Sequence, residues 1–143
     1  MIVVDTNILL LVMARPSEPV NLWMHEAAKR LFDSAARGEV LLYAPTAVIA
    51  EAVFVLTSRA NYGLDAESTT RLLEPFVKID AFRIESKPEV IKALAFWNEH
   101  PRIGFVDALV AAMVMRPGDV LASFDNHFRR FNQIQRYQWQ SEP

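Results

Sequence analysis

Cysteine is absent from the 143 residues, which excludes disulfides and thiolate metal sites and points toward a reducing, intracellular setting. An excess of basic charge is also missing, because the formal net charge is -2. The chain therefore lacks the overall basic signature of many nucleic-acid binders, although a local patch can serve the same purpose. The first residues carry neither the basic segment nor the small-residue cleavage site of a secretory signal. Their apolar run is interrupted too early to span a bilayer. There is no internal repeat, no low-complexity tract and no linker that would divide the chain. What is present is 52% apolar and 22% charged residues, the balance of a folded soluble chain. The expectation is one domain over residues 1–143, cytoplasmic and not membrane-bound.

Short apolar runs alternate with helical patterns. Strands are predicted at Ile2–Val4, Val40–Tyr43, Ala81–Ile84 and Val120–Phe124, all rich in β-branched or aromatic residues. Helices are predicted from Asn7 to Met13 and from Asn21 to a C-terminal glycine at Gly38. Another runs from an N-cap at Thr46 to about Arg59, and another starts at Asp65 and is bent or ended by Pro75. Ser86-Lys87-Pro88-Glu89 reads as a capping box that opens a helix to about Glu99. Phe105 to Met115 is a nearly all-apolar helix, Asn126–Phe131 a short helix or turn, and the tail from Gln133 a candidate edge strand. Strands that alternate with helices in this way imply a three-layer α/β/α domain around a mostly parallel sheet.

Four carboxylates stand apart from the other acids. Asp5 is the only charged side chain before Arg15, Glu51 the only one between Glu39 and Arg59, and Asp107 the only one between Arg102 and Arg116. Asp125 ends the run VLASFD. Each has a plain structural explanation by itself: a helix cap at Asp5, a solvated helix position at Glu51, a favourable first-turn charge at Asp107, and an Asx-turn at Asp125. Together they share a location, because ligands of parallel α/β sheets bind beyond the carboxyl ends of the strands. Asp5 and Asp125 follow strands, and Glu51 and Asp107 lie near helix starts. Four converging carboxylates repel one another unless a cation intervenes. No lysine or arginine is adjacent in sequence, and oxygen-only donors select Mg²⁺ or Mn²⁺. His25, His100 and His127 have no zinc-ligand spacing. One or two hard metal ions in an acidic pocket suit phosphodiester hydrolysis.

The motifs IVVDTN, AVIAEAVFVL, FVDALVAA and SFDNHF, in this order, resemble those of the PIN-domain ribonucleases, most closely the VapC toxins of toxin–antitoxin pairs. The resemblance covers essentially the whole chain. It implies an Mg²⁺- or Mn²⁺-dependent endoribonuclease acting at Asp5, Glu51, Asp107 and Asp125. Asp5 and Asp107 are implied as the main metal ligands. Asp125 and Glu51 would complete the cluster by binding metal or orienting water. Thr6, Asn7 and Ser123 are implied as hydrogen-bonding supports of those carboxylates. The resemblance also implies an RNA substrate, a homodimer and an inhibiting antitoxin protein.

Arg129, Arg130 and Arg136, with His127, occupy a stretch free of acids between Asp125 and Glu142, so they are candidates for RNA-backbone contact or for a solvated face. Arg15 and Arg102 are further candidates for phosphate contact. Trp23, Phe32, Phe54, Phe76, Phe96 and Trp97 fit core or dimer interface better than base stacking. Three other functions compete. A phospho-receiver module would need a lysine near the end of a late strand, and VLASFD offers none. The alternatives are a catalytically silent PIN-like binding module, against which the intact acids argue, and a DNA-directed nuclease, against which the chain's lack of the extra DNA-clamping segments of those larger enzymes argues.

Overall fold

The computed structural model describes residues 1–140. Three parallel strands, β1 (Ile2–Val3), β2 (Leu42–Ala44) and β3 (Phe82–Ile84), form one sheet in the order β1-β2-β3. Ile2 stands opposite Leu42, and Leu42 opposite Phe82, so all three strands end at the same edge. Among the described residues, six helices flank the sheet: α1 (Thr6–Met13), α2 (Leu22–Ala36), α3 (Thr46–Thr57), α4 (Ala66–Val77), α5 (Lys87–Glu99) and α6 (Phe105–Val114). Single 3₁₀ turns cover Pro19–Asn21 and Asn126–Arg130. The architecture is the expected α/β fold.

Because α1, α3 and α5 directly follow β1, β2 and β3, their N-termini share the carboxyl edge of the sheet. Extending the register by two residues past Val3 sets Asp5, Pro45 and Glu85 side by side just beyond the strands. Neighbouring strands lie roughly 4.8 Å apart, so one row of side chains here brackets a narrow rim.

Local chemistry explains several boundaries. At the end of α2, Gly38 adopts φ 75° and donates its N–H to the Ala35 carbonyl, while the Glu39 N–H reaches the Ser34 carbonyl. This paired closure needs a left-handed residue, which glycine supplies without a Cβ penalty. At the start of α4, the Asp65 carboxylate accepts the Ser68 N–H at 2.8 Å. Pro75 lies inside α4, which ends two residues later.

Three expectations are corrected. Val120–Phe124 does not join the sheet as a fourth strand; Leu121 makes only an isolated parallel bridge to Arg136, in the tail expected to add an edge strand. Thr46 is the first residue of α3 and not its cap, because its hydroxyl donates at 2.6 Å to the Glu85 carbonyl and so ties α3 to the end of β3. Ser86 makes no side-chain cap, so there is no capping box; the residue takes a left-handed conformation, φ 56° and ψ 39°. The next residue, Lys87, ties this turn back to the approach and start of β3, as its Nζ donates to the carbonyls of Ile79 (2.7 Å) and Phe82 (2.8 Å). Burial pushes the Lys87 ammonium below its ordinary pKa.

The core centres on Phe32 of α2, whose ring meets Phe82 of β3 and Phe76 of α4 edge-on at 5.2 and 5.5 Å. Leu9, Leu42, Ile49, Leu73 and Val90 are buried around the same sheet. Of the six aromatics expected in core or interface, Phe32 and Trp97 are buried and Phe76 and Phe96 half-buried, whereas Trp23 and Phe54 are exposed. β1 departs from the buried strand expected at Ile2–Val4. Only Val4 is buried, while Ile2 and Val3 are exposed; β3 is also an edge strand but buries Phe82 and Ile84, so the difference lies in what covers each strand's faces.

Candidate functional site

Asp5 sits immediately past β1, at the cap of α1. One oxygen accepts the Ile8 N–H at 3.0 Å, which satisfies one of the unpaired donors at the helix start. A carboxylate has about four lone-pair sites, so this cap leaves the second oxygen available at the exposed rim. Thr6, next to it, is buried, and Asn7 is exposed beside Tyr62 and Met24 in a groove along α1.

Glu51 projects from α3 and is exposed; Asp107 lies in the first turn of α6 and is half-buried. These two helices face each other. A groove of about 390 Å³ runs between them, with Ala50, Phe54, Arg102 and Asp107 among its walls. Glu51 is on the same helix but not among the residues that line this groove, which α3 borders with Ala50, Val53, Phe54 and Thr57. Asp107 is the one acidic residue in the first turn of α6, where the helix dipole favours a negative charge. Neither Glu51 nor Asp107, nor Asp5, is in an ion pair among the described residues.

Asp125 is placed differently. Its carboxylate accepts the His127 N–H at 2.8 Å in an Asx-turn, and the His127 imidazole lies 2.8 Å away. The backbone N–H of His127, its ring, and the Arg136 charge hold the Asp125 carboxyl below its usual range. Ser123 supports the turn and not the carboxylate, since its hydroxyl accepts the Asp125 N–H at 2.9 Å. Arg15, Arg129 and Arg130 are exposed.

The residues therefore come together in part. α1 packs on α3 and α3 meets α6, which connects the elements carrying Asp5, Glu51 and Asp107. Yet among the described residues no three acids or histidines stand close enough to hold one metal ion. The donor chemistry is that of a hard-cation site, all carboxylate oxygen, but the side chains are not closed around a point.

Residues 2–134 match the PIN domain family. The chain belongs to the PIN domain family. No curated protein matches it. PIN domains are typically metal-dependent nucleases that act on RNA, and this PIN domain carries its four isolated acids within the matched residues. No helix among the described residues is long and apolar enough to cross a membrane.

Glu85 was not singled out from the sequence, because it opens the mixed-charge stretch that ends at Glu89. In this PIN domain it occupies the position after β3 that Asp5 occupies after β1. Its Oε1 lies 3.3 Å from the Thr46 hydroxyl. The sequence signal for Glu85 is its place directly after a predicted strand, the same property that Asp5 has.

Proposed function

We propose that this PIN domain is an Mg²⁺- or Mn²⁺-dependent endoribonuclease and the toxin of a type II toxin–antitoxin pair. The observation that carries the reading is the set Asp5, Glu51 and Asp107, three carboxylates without ion-pair partners on helices that touch, within a chain of the PIN family. Asp5, Asp107 and Asp125 would hold the ion, and Glu51 would hold or orient water. The bound ion supplies a lowered water pKa and charge stabilisation at the transferring phosphoryl group. The cap of α1 anchors the Asp5 backbone, and the Asx-turn anchors Asp125, so both carboxylates project from rigid elements. Arg102, on the wall of the same groove, offers a cation for a substrate phosphate.

The toxin assignment follows the resemblance of the motifs to VapC proteins. A homodimer agrees with the apolar side chains of Phe54 and Val106, 71% and 57% exposed on the helices that border the groove. The antitoxin would act by covering that groove.

The test is incubation of the purified chain with total cellular RNA, with and without Mg²⁺ or Mn²⁺, followed by mapping of cut ends. Metal-dependent cleavage that disappears in Asp107→Asn supports the reading. Equal cleavage by that variant, or by chelated protein, overturns it. One observation favours the alternative of a silent PIN-like binding module: no three acids lie within ligating reach of one point among the described residues. Calorimetric titration with Mn²⁺ separates the two, since a silent module that has lost its site releases no binding heat.

A further inference from the structure

The segment after α6 forms a second groove, of about 530 Å³, lined by Ser123, Phe124, Arg129, Arg136, Tyr137 and Trp139 among others. Its two walls are fastened by backbone hydrogen bonds of 2.8 Å, from the Leu121 N–H to the Gln135 carbonyl and from the Tyr137 N–H to the Leu121 carbonyl. The segment sorts its aromatics by role. Phe128 and Phe131 turn inward and are buried, whereas Phe124, Tyr137 and Trp139 turn outward, 79%, 43% and 39% exposed. The outward rings are ordered on one another. Phe124 stacks on Trp139 with centroids 4.4 Å apart and planes 18° apart, and Tyr137 meets Trp139 edge-on at 5.0 Å. With one face against Trp139 and most of its surface in solvent, Phe124 leaves its other face open.

The charge of the groove is of one sign. Arg136 is fixed beneath it, its Nη2 donating to the carbonyls of Ser123 (3.3 Å) and Asp125 (3.4 Å). Arg129 lines it without an ion pair to any described residue, and no carboxylate is among the lining side chains. A flat stack of exposed rings beside guanidinium groups matches an unpaired nucleobase and its phosphate. Duplex RNA does not fit this chemistry, because its bases are already stacked and paired.

We propose that this groove binds an unpaired nucleotide of the RNA strand, its base stacked on the open face of Phe124 and its phosphate against Arg129. The inference rests on the RNA-directed reading above and adds to it a base-stacking subsite on the segment after α6. Asp125 lies between Phe124 and Asn126, so a nucleotide held here lies next to one of the four acids.

The test is fluorescence anisotropy of a labelled, mixed-sequence single-stranded oligoribonucleotide with the full chain in EDTA, at about 50 mM salt, where binding is read without cleavage. Phe124→Ala and Trp139→Ala should each weaken binding roughly five- to hundred-fold, while Trp139→Phe keeps most of the affinity. Arg129→Ala should lower the slope of log affinity against log salt by about 0.7. The exposed Trp23, changed to alanine, is the control and should leave binding unchanged. A duplex of the same sequence should bind markedly less well than the single strand. Both ring positions are exposed, and unchanged far-UV circular dichroism checks that the variants fold. Wild-type affinity in both ring variants overturns the groove, as does the absence of binding by the wild-type chain or equal binding of duplex. If the chain still cuts total RNA in the presence of metal, only the groove assignment falls; if it does not, the nuclease reading falls as well.

Discussion

Asp5 performs two tasks that substitution can separate. As a cap it accepts the Ile8 N–H, and as a proposed ligand it needs its negative charge. Asparagine caps a helix about as well as aspartate but is a poor ligand for a hard cation. Alanine does neither. Loss of the cap costs about 1 kcal/mol. For a chain of 143 residues the unfolding entropy is about 0.3 kcal/mol per kelvin, so Asp5→Ala should melt about 3 °C below wild type. Asp5→Asn should stay within about 1 °C, since it keeps the cap and relieves repulsion among acids while giving up a favourable charge at the helix N-terminus. Metal adds a second axis. At a concentration ten times its dissociation constant, an ion that binds only the folded chain stabilises it by about 1.4 kcal/mol, or about 4–5 °C here. Mn²⁺ should therefore raise the midpoint of the wild type and leave that of Asp5→Asn and Asp5→Ala nearly unmoved. The assay is thermal unfolding followed by circular dichroism, with and without Mn²⁺, beside cleavage of total RNA. An Asp5→Asn chain that gains the full metal shift, or that cleaves RNA normally, refutes the ligand role. An Asp5→Ala chain that melts with wild type refutes the cap.

Phe32→Ala should destabilise the fold by about 3–5 kcal/mol, because it empties the contact among α2, α4 and β3, where Phe32 is 2% exposed; denaturant unfolding measures the loss. The Asp125 carboxyl, held low first by the His127 N–H, contributes stability that is present above its unfolded pKa of about 3.9 and is lost as pH falls through the lowered folded value. Because the leading cause is a backbone donor, His127→Ala should leave most of that shift in place. Carbon-detected NMR titration of Asp125 checks it, and a return to the ordinary value would show that the imidazole dominates.

Much of the fold was legible because the signals are local. The alternation of β-branched runs with helical periodicity, the glycine closing α2 and the aspartates capping α1 and α4 each depend on residues within one or two turns. Three of the predicted strands appear within two residues of their expected ends. The failures have a common source. Thr46 has a normal capping side chain, but a carbonyl 39 residues away competes for its hydroxyl. Ser86 has a normal capping-box spacing, but it takes a left-handed conformation beside Lys87, which reaches back to two carbonyls. Val120–Phe124 has strand composition, yet Leu121 pairs with the tail and not with the sheet.

The sequence by itself determined the alternating α/β pattern, the four isolated acids and the absence of soft metal ligands, since all of these are properties of neighbours along the chain. Only the tertiary structure decided that β1 is an edge strand and that Ile2 and Val3 are exposed. It also placed Glu85 in line with Asp5, set Glu51 and Asp107 on facing helices, and sorted the aromatics of the final segment into buried and stacked exposed rings. Those outcomes depend on strand order and helix packing across distant segments, and these act through space between residues that are far apart in the chain.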